Sequence, residues 1–258
     1  MAGTAGTCNI YVYVDKLPTY YTITFDANGG KIGDYDRVTR TTNSSGQIPS
    51  FPGNPIKDST ATYDYTFAGW YTKKTGGDRI YSNHKFTSNT TVYAHWTSTK
   101  REYTHYYYYM PANTSSYKLL DSFTKKIGET YTAPLFPTAA AGYEYYDYND
   151  SGWSPGSTVT MDTSNKFFYA RERGKSYTAY FNTNGGTYSS VTPANKTATF
   201  GQDFTFPNYT GSKTIDGVLS HALGWIDKLN YNNKYDFNET IKWNWASNKT
   251  FYVNWNDA

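Results

Sequence analysis

The sequence predicts a mainly β protein assembled from three tandem repeats, and three observations point that way. Aromatic residues make up 19% of the 258 residues, with 29 Tyr, while the aliphatics number only 10 Ile, 8 Val and 7 Leu. Any core must therefore be built largely from Tyr, Phe and Trp, whose broad rings suit pleated, half-buried surfaces. Alternating segments run into Asn-Gly pairs, which turn a hairpin tightly because both positions tolerate positive φ. Four landmarks then recur in one fixed order, the signature of a repeat array.

The first landmark is the opening strand and hairpin, Tyr21-Thr22-Ile23-Thr24-Phe25-Asp26-Ala27-Asn28-Gly29-Gly30, which returns as Tyr177-Thr178-Ala179-Tyr180-Phe181-Asn182-Thr183-Asn184-Gly185-Gly186. The second is a Gly followed six residues later by Pro: Gly46 and Pro52, Gly128 and Pro134, Gly201 and Pro207. The third is Gly-Trp, at Gly69-Trp70, Gly152-Trp153 and Gly224-Trp225. The fourth is a closing strand, Thr91-Val92-Tyr93-Ala94-His95-Trp96, matched by Thr250-Phe251-Tyr252-Val253-Asn254-Trp255 and, in the middle, by Phe168-Tyr169-Ala170-Arg171-Glu172. The repeats start near Tyr21, Tyr103 and Tyr177, with polar, basic connectors at Thr97–Glu102 and Arg173–Ser176. The division expected is an N-terminal segment over 1–18, a first repeat over 19–99, a divergent second over 100–174 and a third over 175–258. Ile10-Tyr11-Val12-Tyr13-Val14 adds one more alternating strand. In the middle repeat the strand after Tyr103 should still form and be joined to its partner by a different loop around Pro111–Ser116. A unit of about 75 residues folds alone only marginally, so the recurring Trp70, Trp153 and Trp225 are expected as core anchors.

Phe25-Asp26-Ala27-Asn28-Gly29-Gly30, then Pro55, then Tyr65-Thr66-Phe67-Ala68-Gly69-Trp70-Tyr71, then Val92-Tyr93-Ala94-His95-Trp96 resembles the internalin B-type repeat, also called the Listeria–Bacteroides repeat. The resemblance spans 19–98 and extends to 175–256. Residues 103–172 follow it less closely, lacking Asn-Gly-Gly and closing on Glu172 instead of Trp. It implies small α+β, β-grasp-like units in which strands curl around a short helical or irregular crossover. It also implies a bacterial surface protein whose repeats act as spacers, self-association units or host contacts, without enzymatic activity.

Composition narrows the classes. No apolar run approaches the roughly 18–20 residues of a membrane-spanning helix, so no membrane insertion is expected. The net charge is +3, and the short clusters Lys73-Lys74, Lys100-Arg101 and Lys125-Lys126 suit solvated turns and connectors better than a nucleic-acid footprint. The single Cys8 excludes an internal disulfide framework. That suits a bacterial cell surface, although composition alone would equally allow a cytoplasm. Met1-Ala2-Gly3-Thr4-Ala5-Gly6-Thr7 has neither the basic nor the apolar region of a signal peptide; it reads as a cloning scar, and the chain is expected to be a fragment.

No catalytic residues, cofactor or metal site are predicted. His84, His95, His105 and His221 show no ligand spacing, and the Asp26/Asn28 pair, which could suggest a calcium loop, becomes Asn182/Asn184 in the last repeat. Asp147 and Asp150 are the closest approach to a carboxylate pair for acid–base work, set among tyrosines that could meet a sugar. Cys8 has no His near it in sequence, and Gly29-Gly30 and Gly76-Gly77 lack the Lys-Ser/Thr that completes a phosphate loop.

The candidate binding residues are Trp243 and Trp245, flanked by Tyr231 and Tyr235 in extra sequence of the third repeat. Two indoles two positions apart share a face if they lie on a strand. They could then stack on sugar rings, or that face could simply pack on the core. Tyr106–Tyr109 must place tyrosines on both faces of a strand, and exposed tyrosines favour protein interfaces. Two functions follow: an extracellular stalk or adhesive module that binds a protein partner or itself, or a carbohydrate-binding module for polysaccharide.

Overall fold

A computed structural model describes residues 1, 3, 5–7, 17–188, 193–228 and 230–255, without the side chains of 187, 188, 230 and 231. Cys8 and the strand expected over Ile10–Val14 lie outside the described residues. The protein is mainly β, with no helix among the described residues. It divides into two compact units, Met1–Arg101 and Glu102–Ala258.

In the first unit β1 (Thr22–Asp26), β2 (Arg37–Thr41), β3 (Tyr63–Tyr71), β4 (Arg79–Ile80) and β5 (Thr90–Lys100) form one sheet in the order β2-β1-β5-β3-β4. β1 and β5 are parallel and the other pairs antiparallel. A parallel pair needs a crossover. Here the crossover is irregular rather than helical, because Pro49, Pro52 and Pro55 lack the amide donors a helix requires.

The second unit holds two segments. Residues 102–174 give β6 (Glu102–Met110), β7 (Lys118–Lys126), β8 (Thr130–Thr132), β9 (Tyr143–Tyr146), β10 (Thr158–Thr160) and β11 (Lys166–Gly174). Residues 176–255 give β12 (Ser176–Asn182), β13 (Thr187–Tyr188), β14 (Lys196–Thr199), β15 (Asp203–Thr205), β16 (Gly211–Ile215), β17 (Val218–Asp227), β18 (Asn230–Tyr235), β19 (Thr240–Lys242) and β20 (Lys249–Trp255). The orders β7-β6-β11-β9 and β14-β12-β20-β17 repeat β2-β1-β5-β3, each with a parallel first–last pair. Each of these two segments adds a two-stranded ribbon, β8 with β10 and β15 with β19. The third segment extends its sheet with β16 and β18, both paired to β17.

Register aligns the cores. Phe25 faces Val92, Tyr107 faces Phe168 and Phe181 faces Phe251, and all six are buried. Two residues earlier on the opening strand stand Ile23, His105 and Ala179, also buried. The Gly-Trp pairs of the first and third segments sit at β-bulges, with Gly69 at φ 138 and Gly224 at φ 152. A bulge re-aims the next side chain, and Trp70 and Trp225 point into the core. In the second segment β9 stops at Tyr146, which pairs with Arg171 as Gly69 pairs with His95 and Gly224 with Asn254. Residues 147–151 then intervene before Gly152, and Trp153 enters the same core from a loop.

The Asn-Gly-Gly hairpin and the closing Trp are one device. A Cβ on Gly30 would lie 2.5 Å from the Trp96 ring, and one on Gly186 would lie 2.1 Å from the Trp255 ring. The indole therefore packs onto the bare backbone of the hairpin. The middle segment lacks both parts together. Glu172 occupies the Trp position and accepts a hydrogen bond from the Ala112 amide at 2.9 Å, holding the loop that replaces the hairpin. Substituting Gly186→Ala should destabilise the second unit by about 1–3 kcal/mol through overpacking. The same change in a Trp255→Leu background should cost clearly less. A double-mutant cycle by chemical denaturation checks this, and additive effects would contradict it.

Candidate functional site

Trp243 and Trp245 do not share an exposed face. β19 ends at Lys242, so Trp243-Asn244-Trp245 is not a strand and its side chains need not share a face. Trp243 is 0% exposed. Its backbone brackets the Gly201 turn, accepting from the Gly201 amide at 2.8 Å and donating to the Gln202 carbonyl at 2.9 Å. Met161 makes the same pair of bonds with Gly128 and Glu129, and Phe86 donates to the Gly46 carbonyl. Phe86 and Met161 are buried as well. Trp243 thus fills a core position common to all three segments.

Trp245 is half-buried, its ring 4.9 Å from Trp243 at 80°, an edge contact instead of a shared plane. Tyr235 stacks on Phe206 at 4.6 Å, and burial, then the Asp227 and Glu239 carboxylates, raise its phenol pKa. The Tyr231 backbone lies in β18, while its side chain is outside the described residues. The Asp26/Asn28 pair is a turn: Asp26 accepts from the Asn28 amide at 2.8 Å and from Arg37 at 2.9 Å. Among the described residues, no three His, Cys, Asp or Glu side chains are placed to hold a metal ion together.

Two features of the second unit were not foreseen from the sequence. The first is a polar chain inside the middle core. His105, 1% exposed, replaces the Ile23 and Ala179 of the other segments. Its Nε2 lies 3.4 Å from Asp162, its Nδ1 lies 2.7 Å from the Tyr131 hydroxyl, and Tyr131 lies 2.7 Å from the Tyr107 hydroxyl. A carboxylate only accepts, so Nε2 carries the proton toward Asp162. With that proton on Nε2, Nδ1 can accept from Tyr131, which in turn can accept from Tyr107. Every member of the chain is satisfied, which a buried polar group needs. Lys166 pairs with Asp162 at the solvent end. Burial works to raise the Asp162 pKa, but hydrogen bonds from Lys166 and His105 outweigh it and hold it below the usual carboxylate value.

The second feature is the meeting of the two segments. Lys175, in the stretch expected to be a plain connector, donates to the Gly142 carbonyl at 2.7 Å and accepts from the Phe200 amide at 3.0 Å. The Phe200 ring packs edge-on against Tyr143 at 5.0 Å. A Cβ on Gly142 would lie 2.5 Å from that ring, and one on Gly174 would lie 2.0 Å from the Phe200 carbonyl oxygen. Both glycines are the room Phe200 occupies.

The tyrosine run alternates as expected: Tyr107 is buried, while Tyr106 and Tyr108 lie half-exposed on the opposite face. Burial, first of all, raises the Tyr107 and Tyr131 phenols above their ordinary value near 10. The folded state then keeps protons that the unfolded chain releases. The resulting stability is fully present below pH ~10 and is lost as pH rises above it toward the folded values. The melting temperature of the second unit should therefore fall above pH ~10. Tyr107→Phe, although less stable at neutral pH, should show a shallower fall. Thermal melts followed by tyrosinate absorbance check this, and parallel slopes for the two proteins would contradict it.

Comparison with known proteins places part of this chain. Residues 21–95, most of the first unit's sheet, match the family model of the Listeria-Bacteroides repeat domain. A comparison with curated proteins found no match. Among solved structures, Streptococcal High Identity Repeats in Tandem (SHIRT) domains 3-4 from a cell surface protein align at 13% identity and TM-score 0.26, covering 59% of this chain and 96% of that one. The first segment thus carries the signature of a bacterial repeat domain, set in a chain whose other segments repeat its strand order.

Proposed function

We propose that the chain is a non-catalytic repeat region of a bacterial surface protein. It serves as a spacer of three small β modules, with boundaries near residues 100 and 174, that holds a protein partner or a second copy of itself. The observation that carries this reading is what recurs and what does not. Strand order, the parallel first–last pair and the buried positions recur in three consecutive segments. The polar residues that could do chemistry do not: His105 is Ile23 and Ala179 elsewhere, and Arg171 is His95 and Asn254. Structure that repeats while chemistry drifts fits a mechanical role. The family match of the first segment supports the surface setting.

A spacer also needs joints whose stiffness is set. The Phe200 contact supports a fixed joint between the second and third modules, since the connecting Lys175 is bonded on both sides. The alternative, polysaccharide binding by Trp243, Trp245, Tyr231 and Tyr235, would need exposed rings to stack on, and the fully buried Trp243 does not favour it.

Residual dipolar couplings test the joint. In the wild type, amides of 102–174 and 176–255 should fit one alignment tensor. Phe200→Ala should separate them into two tensors while leaving the strand pairing of each module in place. Two independent tensors in the wild type would contradict a fixed joint.

A further inference from the structure

The middle segment differs from its neighbours most on the outer face of its sheet. Where the first segment carries Thr24, Asp26 and Thr91, register places Tyr106, Tyr108 and Phe167. The third segment has Asn182 and Thr250 at the last two of these positions. A face that is polar in one segment has become aromatic in another, and Phe167 is 52% exposed. Phe167 stacks on Tyr106 at 5.1 Å and 9°, Tyr106 lies 6.5 Å from Tyr108, and Tyr108 stacks on Tyr169 at 5.6 Å and 21°. A contiguous row of rings with Phe167 and Tyr169 exposed is a surface suited to contact.

The ring column ends in a corner. Tyr117 meets Tyr169 at 4.9 Å and 62°, and the Tyr117 hydroxyl accepts from Arg171 Nε at 2.7 Å. Facing this corner is the loop 147–151, the stretch that intervenes where β9 stops and that has no counterpart at the other two Gly-Trp bulges. Tyr117, Tyr169 and Arg171, with Asp147, Asp150 and Ser151 from the loop, line a cleft of about 470 Å³. That volume falls within the roughly 300–1,000 Å³ of small-molecule sites.

The chemistry of the cleft selects its occupant. Two carboxylates disfavour an anion, and the guanidinium disfavours a cation. A neutral ligand rich in hydroxyls can use all of these groups, donating to Asp147 and Asp150 and accepting from Arg171. The two tyrosine rings offer apolar surface to the C–H face of a sugar. We infer that this cleft is a binding site for a neutral, hexose-based glycan, with the Tyr117–Tyr169 corner as its apolar wall and Asp147, Asp150 and Arg171 as its hydroxyl partners. The inference stands apart from the spacer role, because a spacer needs no ligand and this site uses none of the residues of the joint.

The test is an amide-shift titration of the full 258-residue chain. The probes are maltohexaose, cellohexaose, mannohexaose and a β-galacto-oligosaccharide, with polygalacturonate and chitosan oligomers as charged comparators. At least one neutral oligomer should give saturable shifts confined to residues 106–108, 117, 147–151 and 167–171. Tyr169→Ala should weaken that binding about tenfold, as expected for one lost apolar contact face, and Tyr169→Phe should keep most of it. Tyr169 lies in a strand, so Asp150→Ala and Tyr117→Ala serve as variants outside the strands, each expected to weaken binding with an otherwise unchanged spectrum. Lack of saturable binding by every neutral oligomer, or a preference for a charged one, would overturn the proposal. Shifts of the same face that follow protein concentration without sugar would assign it to a second copy, and would overturn it too.

Discussion

An indole N–H that needs an acceptor, and a proline carbonyl that no sheet ladder uses, meet in the core and hold down the crossovers of the second and third segments. Trp153 donates to the Pro134 carbonyl at 3.1 Å across 19 residues, and Trp225 donates to the Pro207 carbonyl at 2.9 Å across 18 residues. Proline keeps helix out of the crossover but leaves that stretch without regular hydrogen bonds of its own. A buried indole supplies both area and a donor. Leaving either group orphaned in the interior costs about 1–3 kcal/mol, a large share of what a module this small can spare. In these two segments, landmarks that look independent in the sequence are therefore the two ends of one contact.

That contact also explains how the middle segment tolerates so much change. Its strand stops before the Gly-Trp pair, residues 147–151 intervene, and Trp153 still reaches Pro134. The intervening residues are then free to take up work on the surface, while the core keeps its anchor. Divergence went further than the surface, however. Where the other segments have Ile23 and Ala179, His105 comes with Tyr131, Tyr107 and Asp162 as its polar partners, because a lone buried imidazole would be costly.

Much of the fold was legible because its cues are local. Asn-Gly turns, alternating strands and the recurring Gly-Trp each report on a few neighbouring residues, and their order exposed the common plan. The coupling of Asn-Gly-Gly to the closing Trp was visible only as a joint absence in the middle segment, since the contact is between residues 66 or more apart in the first. Trp243 stayed open to two readings, sugar stacking or core packing, because its two-residue spacing to Trp245 has meaning only on a strand, and the strand ends at Lys242. Aligning the Gly46, Gly128 and Gly201 turns would have shown Phe86, Met161 and Trp243 as one position, but the spacing to them varies. The Phe200 joint gave no signal at all. Gly142 and Gly174 look like ordinary turn and connector glycines until a side chain from the next segment is seen in the space they leave.

The dependence of the fold on the indole–proline contact is tested most directly by Trp225→Phe, which keeps an aromatic ring and removes the N–H. Hydrogen exchange should report a loss of about 1–3 kcal/mol, with the Phe206 amide, bonded to the Glu239 carbonyl beside the anchor, losing protection first. If Trp225→Phe matches the wild type in stability, and Phe206 stays as protected as before, the contact is not what holds the crossover.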